Sequence, residues 1–244
     1  NKTSIITGCN KGIGKSLVQT FAAAGSNIIA CMRKESDEFL NFKEELENQF
    51  KIKIDTYYFD LIDEVQIKNF FDKANSNYEK IDILVNNAAT IQNSLFQMTP
   101  LNKLNETFKI NFFNQIYLSQ LVVKKMQKNK KGSIINVSST SAIQGNIGRL
   151  AYASSKSSLI TATKVMSREL GQFGIRVNSI CPGLTNTDMM INNTDKKILS
   201  EIIGRLNLKR IAEPNEIANV IAFLASDLSS YLTGENIIVD GGLT

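Results

Sequence analysis

Three side chains that can move a proton occur close together in the second half of the chain. Tyr152 and Lys156 are four residues apart in a segment with helical periodicity, and Ser139 stands thirteen residues before the tyrosine. Residues four apart on a helix share a face, with Cβ atoms roughly 5–6 Å apart, so the phenol and the ammonium can act on one target. A free tyrosine titrates near pH ~10, and a neighbouring cation lowers that pKa. The pair therefore predicts a proton donor to a carbonyl, or a proton acceptor from an alcohol.

The rest of the chain must position this pair, because a tyrosine and a lysine four apart occur by chance on many helices. Short β-rich runs alternate with helical periodicity, which predicts βα units and an α/β protein with a parallel sheet of about seven strands. The predicted strands are residues 4–7, 27–32, 52–59, 81–85, 133–137, 175–180 and 236–239. The predicted helices are residues 13–24, 38–50, 65–78, 100–128, 150–172 and 213–225.

Domain organisation follows from the same pattern. No internal repeat, low-complexity segment or linker interrupts it, so we expect residues 1–244 to form one domain. Residues 184–210 are polar and follow Pro182-Gly183. This segment predicts a substrate lid with short helices.

Three glycines lie between the first predicted strand and its helix. Gly8, Gly12 and Gly14 have the spacing G-x-x-x-G-x-G, which differs from the G-x-G-x-x-G of the common dinucleotide fingerprint. Glycine lets the backbone approach a pyrophosphate, which the positive end of a helix attracts. We expect this loop to bind the phosphates of a dinucleotide, with a tight strand–helix turn as the alternative.

The end of the second predicted strand bears on the choice of cofactor. Arg33 and Lys34 follow it, and no carboxylate occurs before Glu35. An acidic residue here accepts hydrogen bonds from the ribose and favours NAD, whereas a basic residue suits the 2′-phosphate of NADP. Lys11, in the glycine loop, adds a second cation. The pattern predicts NADP(H), with a solvated strand end as the alternative for Arg33.

Polar and small residues follow the third and fourth predicted strands. Asp60 could accept a hydrogen bond from an adenine amino group, or act as an ordinary turn residue. Asn86-Asn87-Ala88-Ala89 could satisfy backbone groups of the loop and leave room for a ribose. A loop brace without ligand contact is the alternative for this run.

Composition excludes several classes of site. The chain has no histidine, which excludes a Ser-His-Asp triad, a Cys-His dyad and a His-ligated zinc site, and we expect no metal. Cys9, Cys31 and Cys181 lack CxxC spacing, which favours free thiols in a reducing compartment. We expect a cytoplasmic location, with an organellar one after removal of a leader as the alternative. No apolar run approaches the ~18 residues of a membrane span, so we expect no membrane partner.

The net charge of +5 is spread over the chain, with basic residues mostly interspersed with acidic ones. The lysines lack interleaved aromatic residues, so we expect no nucleic-acid partner. The densest basic run, at the end of a predicted helix, consists of Lys124, Lys125, Lys128, Lys130 and Lys131. It is either a solvated helix end that suits the helix dipole or a docking patch for an acidic partner.

Together these motifs resemble the short-chain dehydrogenase/reductase family. The shared features are T-G-x-x-x-G-I-G at 7–14, N-N-A-A at 86–89, Ser139, Y-x-x-x-K at 152–156, and Pro182-Gly183 with Thr187. They occur in the family's order and spacing over nearly the whole chain. The resemblance implies a single-domain, doubly wound Rossmann-like sheet with helices on both faces. It also implies an active site beyond the carboxyl ends of the strands, and a homotetramer.

The resemblance further implies the roles of individual residues. The implied catalytic set is Asn111, Ser139, Tyr152 and Lys156. The implied cofactor-binding set is Gly8, Asn10, Lys11, Gly12, Ile13, Gly14, Arg33, Asp60, Leu61, Asn87, Ala88, Ala89, Tyr152, Lys156, Pro182, Gly183 and Thr187.

Two pairs of similar residues compete for these roles. Ser138 and Ser139 are adjacent on a strand end and point to opposite sides, so only one can face the substrate. The family's spacing to the tyrosine favours Ser139. Asn111 and Asn114 lie in the same predicted helix, and motif position favours Asn111. Ala89 stands where the family often has glycine, which is a mild change.

The mechanism follows as a hypothesis from this resemblance. Ser139 would bind the substrate carbonyl while Tyr152 gives it a proton and NADPH delivers hydride. Lys156 would lower the pKa of the tyrosine and hold the nicotinamide ribose, and Asn111 would position a water that links the lysine to solvent. Thr187 and the backbone near Leu184 would hold the carboxamide.

Within the family the sequence is most similar to reductases of 3-oxoacyl groups on acyl carrier protein. The similar stretches are residues 174–183, 187–189 and 223–234. In those reductases basic residues meet the acidic carrier. Lys130 matches one such place and Lys128 and Lys131 flank it, whereas Phe173 stands where a second basic residue often occurs. An NADP-dependent sugar or alcohol dehydrogenase is the alternative. A further alternative is a non-enzymatic dinucleotide sensor, which would keep Gly8, Gly12 and Gly14 but would not need a catalytic tyrosine. The complete set of Asn111, Ser139, Tyr152 and Lys156 argues against it.

Overall fold

The computed structural model describes residues 1–244, apart from the side chain of Lys196. A seven-stranded parallel sheet runs through the molecule in the order β3-β2-β1-β4-β5-β6-β7. Its strands are β1 Thr3–Thr7, β2 Asn27–Met32, β3 Ile54–Tyr58, β4 Ile83–Asn86, β5 Gly132–Val137, β6 Ile175–Pro182 and β7 Asn236–Val239. The expected α/β fold with about seven parallel strands is confirmed. The chain order reverses between β1 and β4, and such a switch point opens a crevice at the carboxyl ends of the strands.

Helices cover both faces of the sheet. They are α1 Gly12–Ala23, α2 Asp37–Phe50, α3 Glu64–Asn77, α4 Leu101–Phe108, α5 Asn114–Asn129, α6 Ser141–Gln144, α7 Leu150–Leu170, α8 Asp188–Ile191, α9 Lys196–Arg205 and α10 Pro214–Ala225. Helices α1, α2 and α10 bury apolar side chains in one core, while α3 and α5 contribute to the other. Among the described residues, no helix has both the length and the hydropathy that crossing a membrane requires.

The strands are apolar on both faces because both faces are covered. Ile5 and Ile6 are adjacent in β1 and fully buried, and they point into different cores. Ile28 and Ile29 do the same in β2. Continuous apolar runs of this kind are typical of parallel sheets between two helical layers.

The long helix predicted over residues 100–128 is interrupted. Helix α4 ends at Phe108, a π-helical turn spans Lys109–Phe113, and α5 continues from Asn114, whose N–H donates to the carbonyl of Lys109. Such turns insert one residue into the helical register and often occur at functional sites. Helical periodicity over the whole segment conceals the insertion, so the sequence predicted one continuous helix.

The segment predicted as a lid contains the short helices α8 and α9. Thr187 caps α8 by accepting from the N–H of Met190, and Asp195 caps α9 by accepting from the N–H of Lys197. Other boundaries differ by one or two residues, as is usual for frayed ends. Strand β6 runs two residues further than expected, through Pro182.

Candidate active site

A cleft of about 1390 Å³ opens at the carboxyl edge of the sheet. The glycine loop, the segments after β2 to β6, the first turns of α7 and the lid line it. Every residue of the predicted catalytic and cofactor-binding sets lines this cleft except Asn111. Parallel strands explain the convergence, because segments that are distant in the sequence leave the sheet at the same edge.

The glycine loop has a backbone that side chains would obstruct. Gly8 and Gly12 have φ values of +75° and +56°, which favour glycine. A Cβ at Gly14 would lie 1.9 Å from the carbonyl oxygen of Gly8. Helix α1 then begins without a side-chain cap at Lys11 and without an acidic residue in its first turn. Its first N–H groups are therefore available to an anion, and the loop fits a dinucleotide phosphate.

The loop after β4 is braced by Thr7. The hydroxyl oxygen of Thr7 accepts from the N–H groups of Asn87 and Ala88, both at 3.0 Å. The Asn87 amide donates to the Thr7 carbonyl at 2.8 Å. Asn86 is fully buried and donates to Ser119 and Asn136 away from the cleft. The side chain of Asn87 thus acts as a loop brace while the residue still lines the cleft.

The two basic residues expected near the adenosine lie in different surroundings. Arg33 is exposed and lines the cleft directly after β2. The Lys11 ammonium pairs with Asp188 of the lid at 2.9 Å, with both side chains exposed. Asp60 accepts from the N–H of Ile62 at 3.0 Å, so one oxygen of its carboxylate stabilises a turn.

Helix α7 presents Tyr152 to the cleft beside Ser139. Burial raises the pKa of the Tyr152 phenol, whereas hydrogen bonding with the Ser139 hydroxyl and the charge of Arg149 act to lower it. The Ser139 oxygen also accepts from the N–H of Ser141 at 3.2 Å. The two hydroxyls are therefore adjacent in the cleft, and their shared role at one ligand stays a prediction.

Lys156 is fully buried one helical turn further on. Its ammonium donates to the carbonyl of Val137 at 2.6 Å, and burial lowers its pKa to about 7. The sequence analysis expected this lysine to lower the pKa of Tyr152. The charge of Arg149 acts in that direction, while Lys156 donates to a backbone carbonyl and burial disfavours its own charge, so the expected effect of Lys156 on Tyr152 stays a prediction.

The two candidate serines are used differently. Ser138 is buried, and its hydroxyl donates to the carbonyl of Lys156 at 2.8 Å. That bond fixes α7 against the end of β5. Ser139 instead directs its hydroxyl toward Tyr152.

Asn111 lies in the π-helical turn and is fully buried. Its amide nitrogen donates to the carbonyl of Thr90 at 2.9 Å and to the Ser155 hydroxyl at 3.1 Å, and its oxygen accepts from the N–H of Thr90 at 2.8 Å. Both amide hydrogens are used in these bonds, and the expected role of Asn111 in positioning a relay water stays a prediction. The side chain holds the Thr90 loop against α7. Asn114 is also buried and bonds the Leu61 carbonyl.

The sequence analysis missed Arg149. Its guanidinium is half-buried in the cleft and donates to the side-chain oxygen of Asn93 at 2.5 Å and to the carbonyl of Asn193 at 2.6 Å. A basic residue three positions before Tyr152 shares its helix face, and that spacing was the available signal.

The sequence analysis expected no metal site and free thiols at the three cysteines. In the described part of the chain, no group of three or more acidic or cysteine side chains is arranged to hold a metal. Cys9, Cys31 and Cys181 are buried free thiols. Burial raises the pKa of both Cys9 and Cys31, so neither favours the reactive thiolate.

A family model and several known proteins are similar to this chain over nearly its whole length. A family model described as enoyl-(acyl carrier protein) reductase matches residues 8–244. The 3-oxoacyl-[acyl-carrier-protein] reductase FabG of Thermotoga maritima is 37% identical over 244 residues, which cover 99% of this chain and 97% of that protein.

Two solved structures are similar over the whole chain. YwfH, described as an NADPH-dependent reductase of bacilysin biosynthesis, has a TM-score of 0.94 at 25% identity, covering 100% of this chain and 98% of its own. A candidate NAD(P)-dependent gluconate 5-dehydrogenase of Beutenbergia cavernae, with NADP bound at low occupancy, has a TM-score of 0.93 at 27% identity. Those matches cover 100% of this chain and 96% of that one.

Proposed function

Because the chain belongs to the short-chain dehydrogenase/reductase family, and is therefore an NAD(P)-dependent oxidoreductase, we propose that it reduces a carbonyl group with NADPH. We further propose that the substrate is a 3-oxoacyl thioester on acyl carrier protein and the product its 3-hydroxyacyl form. The observation that carries the proposal is the convergence of the Ser139 and Tyr152 hydroxyls with the glycine loop in one cleft.

The proposed mechanism assigns one task to each side chain. Ser139 donates a hydrogen bond to the substrate carbonyl, and Tyr152 donates the proton that converts this oxygen to a hydroxyl. When bound, the nicotinamide cofactor supplies the hydride. Lys156, with a pKa lowered to about 7, can hold and release a proton near neutral pH, which suits the residue that restores the proton of Tyr152. Asn111 positions the Thr90 loop and does not touch the reacting atoms.

The cofactor proposal rests on the uncapped start of α1 and on Arg33. A guanidinium at the end of β2 suits a 2′-phosphate. Two similar structures, one described as NADPH-dependent and one with NADP bound, support the same choice. We expect Arg33→Asp to weaken NADPH binding more than NADH binding, as measured by cofactor titration. An unchanged ratio of the two affinities would refute the assignment of Arg33.

The substrate proposal is supported by apolar side chains around the cleft. Ile147 is 91% exposed and Ile198 of the lid is 52% exposed, and both line the mouth with Met189. Exposed apolar groups around a cleft are a feature of ligand-binding sites, and here they suit an acyl chain.

Carrier-protein docking would involve the lysines before β5. Lys130 and Lys131 immediately precede this strand, so they lie at the amino edge of the sheet, opposite the cleft. Lys131 also pairs with Asp227 at 3.3 Å. A carrier bound at Lys128 and Lys130 of one subunit therefore serves the cleft of another, so this docking proposal requires an oligomer.

We propose that the oligomer is a homotetramer of single-domain subunits and that the protein is cytoplasmic. An open groove of about 1250 Å³ lies between α5 and α7, and Phe112, Tyr117, Val165 and Met166 are among its lining residues. Such an apolar surface suits contact with a second copy. The buried free thiols fit a reducing compartment.

An NADP-dependent sugar or sugar-acid dehydrogenase is the second candidate. The similarity to a candidate gluconate 5-dehydrogenase favours it, as do the amide side chains of Asn93, Asn146 and Asn193 in the cleft.

Substrate assays separate the two candidates. We expect NADPH consumption with acetoacetyl-CoA, and a higher kcat/KM with the acetoacetyl carrier protein, than with a panel of ketoses, oxo sugar acids and simple ketones. Lys130→Glu should lower kcat/KM for the carrier-bound substrate only, with Lys73→Glu, an exposed lysine of α3 outside the cleft and the groove, as the matched control. Turnover of sugars without turnover of thioesters would refute the acyl-carrier proposal.

A further inference from the structure

Arg149 is a cation in the cleft whose partners are neutral. Its guanidinium donates to the amide oxygen of Asn93 and to the backbone carbonyl of Asn193. Two of its five N–H groups are used in this way. Among the described residues it forms no salt bridge. A half-buried charge without a counter-ion is costly unless a ligand supplies one.

Three of the carboxylates that line the cleft are committed to other groups. Asp188 pairs with Lys11, Glu106 pairs with Lys103, and Asp195 caps α9. Burial lowers the pKa of Arg149, and the group that acts against this effect is Tyr152. None of these three carboxylates therefore neutralises the positive charge of the Arg149 guanidinium.

The start of α7 adds positive potential at the same place. Arg149 is its N-cap residue, makes no capping hydrogen bond from its side chain, and is followed by no acid in the first turn. The helix has 21 residues, and its positive end favours an anion. Two independent features thus attract negative charge to the substrate side of the cleft, away from the glycine loop.

The position of Arg149 beside Tyr152 limits which anion can bind. The two residues are three apart at the start of α7, both line the cleft, and each acts on the pKa of the other, so we expect an anion that reaches Arg149 while its carbonyl meets Tyr152 to belong to a small ligand. The phosphate of a carrier is separated from its thioester carbonyl by the whole pantetheine arm. A carboxylate on a small oxo acid meets the limit, and it matches the bidentate geometry of a guanidinium.

We propose that Arg149 binds a substrate carboxylate and that the cleft therefore reduces small oxo acids in addition to thioesters. This proposal rests on the proposed carbonyl reduction. A hydride from NADPH and a proton from Tyr152 add across the C=O bond, giving the hydroxy acid and NADP⁺, and the carboxylate is unchanged. Asn93 and Asn193 hold the guanidinium in place through their oxygens.

The test compares acetoacetate with its methyl ester, which has the same ketone and no charge. We expect Arg149→Gln to lower the ratio of kcat/KM for the acid to kcat/KM for the ester by roughly 10- to 100-fold, the range of a charge-assisted hydrogen bond. Taking the ratio removes any general loss of activity. Arg149→Lys should retain part of the preference. Arg168→Gln, an exposed arginine on the same helix, is the matched control.

Calorimetry of the enzyme–NADPH complex gives a readout besides turnover. We expect 3-hydroxybutyrate to bind more tightly to the wild type than to Arg149→Gln, and its methyl ester to bind both alike. An unchanged acid-to-ester ratio, or equal binding of the hydroxy acid by both proteins, overturns the proposal. Arg149 would then have only the structural role of holding Asn193 of the lid in place. If the wild type reduces neither acetoacetate, its ester nor acetoacetyl-CoA, the proposed carbonyl reduction fails, and calorimetry still decides whether Arg149 binds a carboxylate.

Discussion

At the residue scale, Tyr152 and Lys156 share a helix face but differ in what surrounds their polar atoms. The phenol lies beside the Ser139 hydroxyl, whereas the ammonium is buried against the carbonyl of Val137. Burial raises the pKa of the first group and lowers that of the second, because it disfavours the charged form of each. The two pKa values, ordinarily 10.0 and 10.5, therefore move apart, and transfer of a proton from the Lys156 ammonium to a Tyr152 phenolate becomes favourable.

Replacing Tyr152 by phenylalanine removes the proposed proton donor and little volume. We expect kcat to fall by roughly 10²- to 10⁴-fold, the usual contribution of general acid catalysis, with NADPH affinity largely unchanged. Steady-state rates and cofactor titration measure the two quantities. Turnover within a few-fold of the wild type would show that another group donates the proton.

Stability should depend on pH through Lys156. Its pKa is about 7 in the folded chain against an ordinary 10.5, so between these values the unfolded chain binds one more proton. The free energy of unfolding should therefore rise with pH in this window, by about 1.4 kcal/mol per pH unit, and this group should add no slope below the window, where it is protonated in both states. Urea titrations of the apoenzyme at two pH values within the window measure the slope.

Lys156→Met removes the titrating group, so its slope should be smaller than that of the wild type by about that amount. Lys164→Met, an exposed lysine on the same helix, should retain the wild-type slope. Equal slopes in all three proteins would mean that Lys156 stays protonated in the fold.

At the element scale, the glycine loop and the π-helical turn show how local backbone geometry serves the cleft. The loop brings the start of α1 against the end of β4, which only glycine at Gly14 permits. The π-helical turn places Asn111 where its amide meets Thr90 and Ser155 at once. One element thus shapes the proposed cofactor end of the cleft and the other supports the proposed catalytic end.

The glycine loop can be tested by adding one methyl group. Gly14→Ala places a Cβ against the Gly8 carbonyl, so we expect unfolding to become easier by about 1–3 kcal/mol and NADPH affinity to fall. Gly171→Ala is the matched control, since a Cβ there has no neighbour within 4 Å and φ is ordinary. Denaturant melts and cofactor titration measure both effects. Unchanged cofactor affinity in Gly14→Ala would contradict a phosphate site in this loop.

At the scale of the whole molecule, the position of the basic residues links assembly to function. The lysines before β5 and the cleft lie at opposite edges of one subunit. Only an assembly can bring them together, so the carrier-docking proposal requires an oligomer. The groove between α5 and α7 is the surface from which such an assembly can be built.

Val165→Glu places a charge in that groove, where the valine is 49% exposed. We expect the variant to elute as a smaller species than the wild type, whose mass should be that of four 27.1 kDa chains. Val65→Glu on α3 is the control, because this valine is 67% exposed and lies outside the groove. Light scattering gives the masses. A tetrameric Val165→Glu variant would place the interface elsewhere.

The sequence by itself determined the order of the elements, the α/β fold, and which residues could meet in the cleft. It could do so because apolar periodicity, glycine spacing and the Tyr152–Lys156 pair are local patterns, and a parallel sheet brings the ends of its strands to one edge. Only the tertiary structure decided the surroundings of each polar group. The Lys156 ammonium donates to the carbonyl of Val137, and the amide of Asn111 donates to Thr90 and Ser155. The Arg149 guanidinium lies in the cleft and donates to Asn93 and Asn193. Desolvation and long-range hydrogen bonds depend on residues distant in the chain, and no local pattern of the sequence records them.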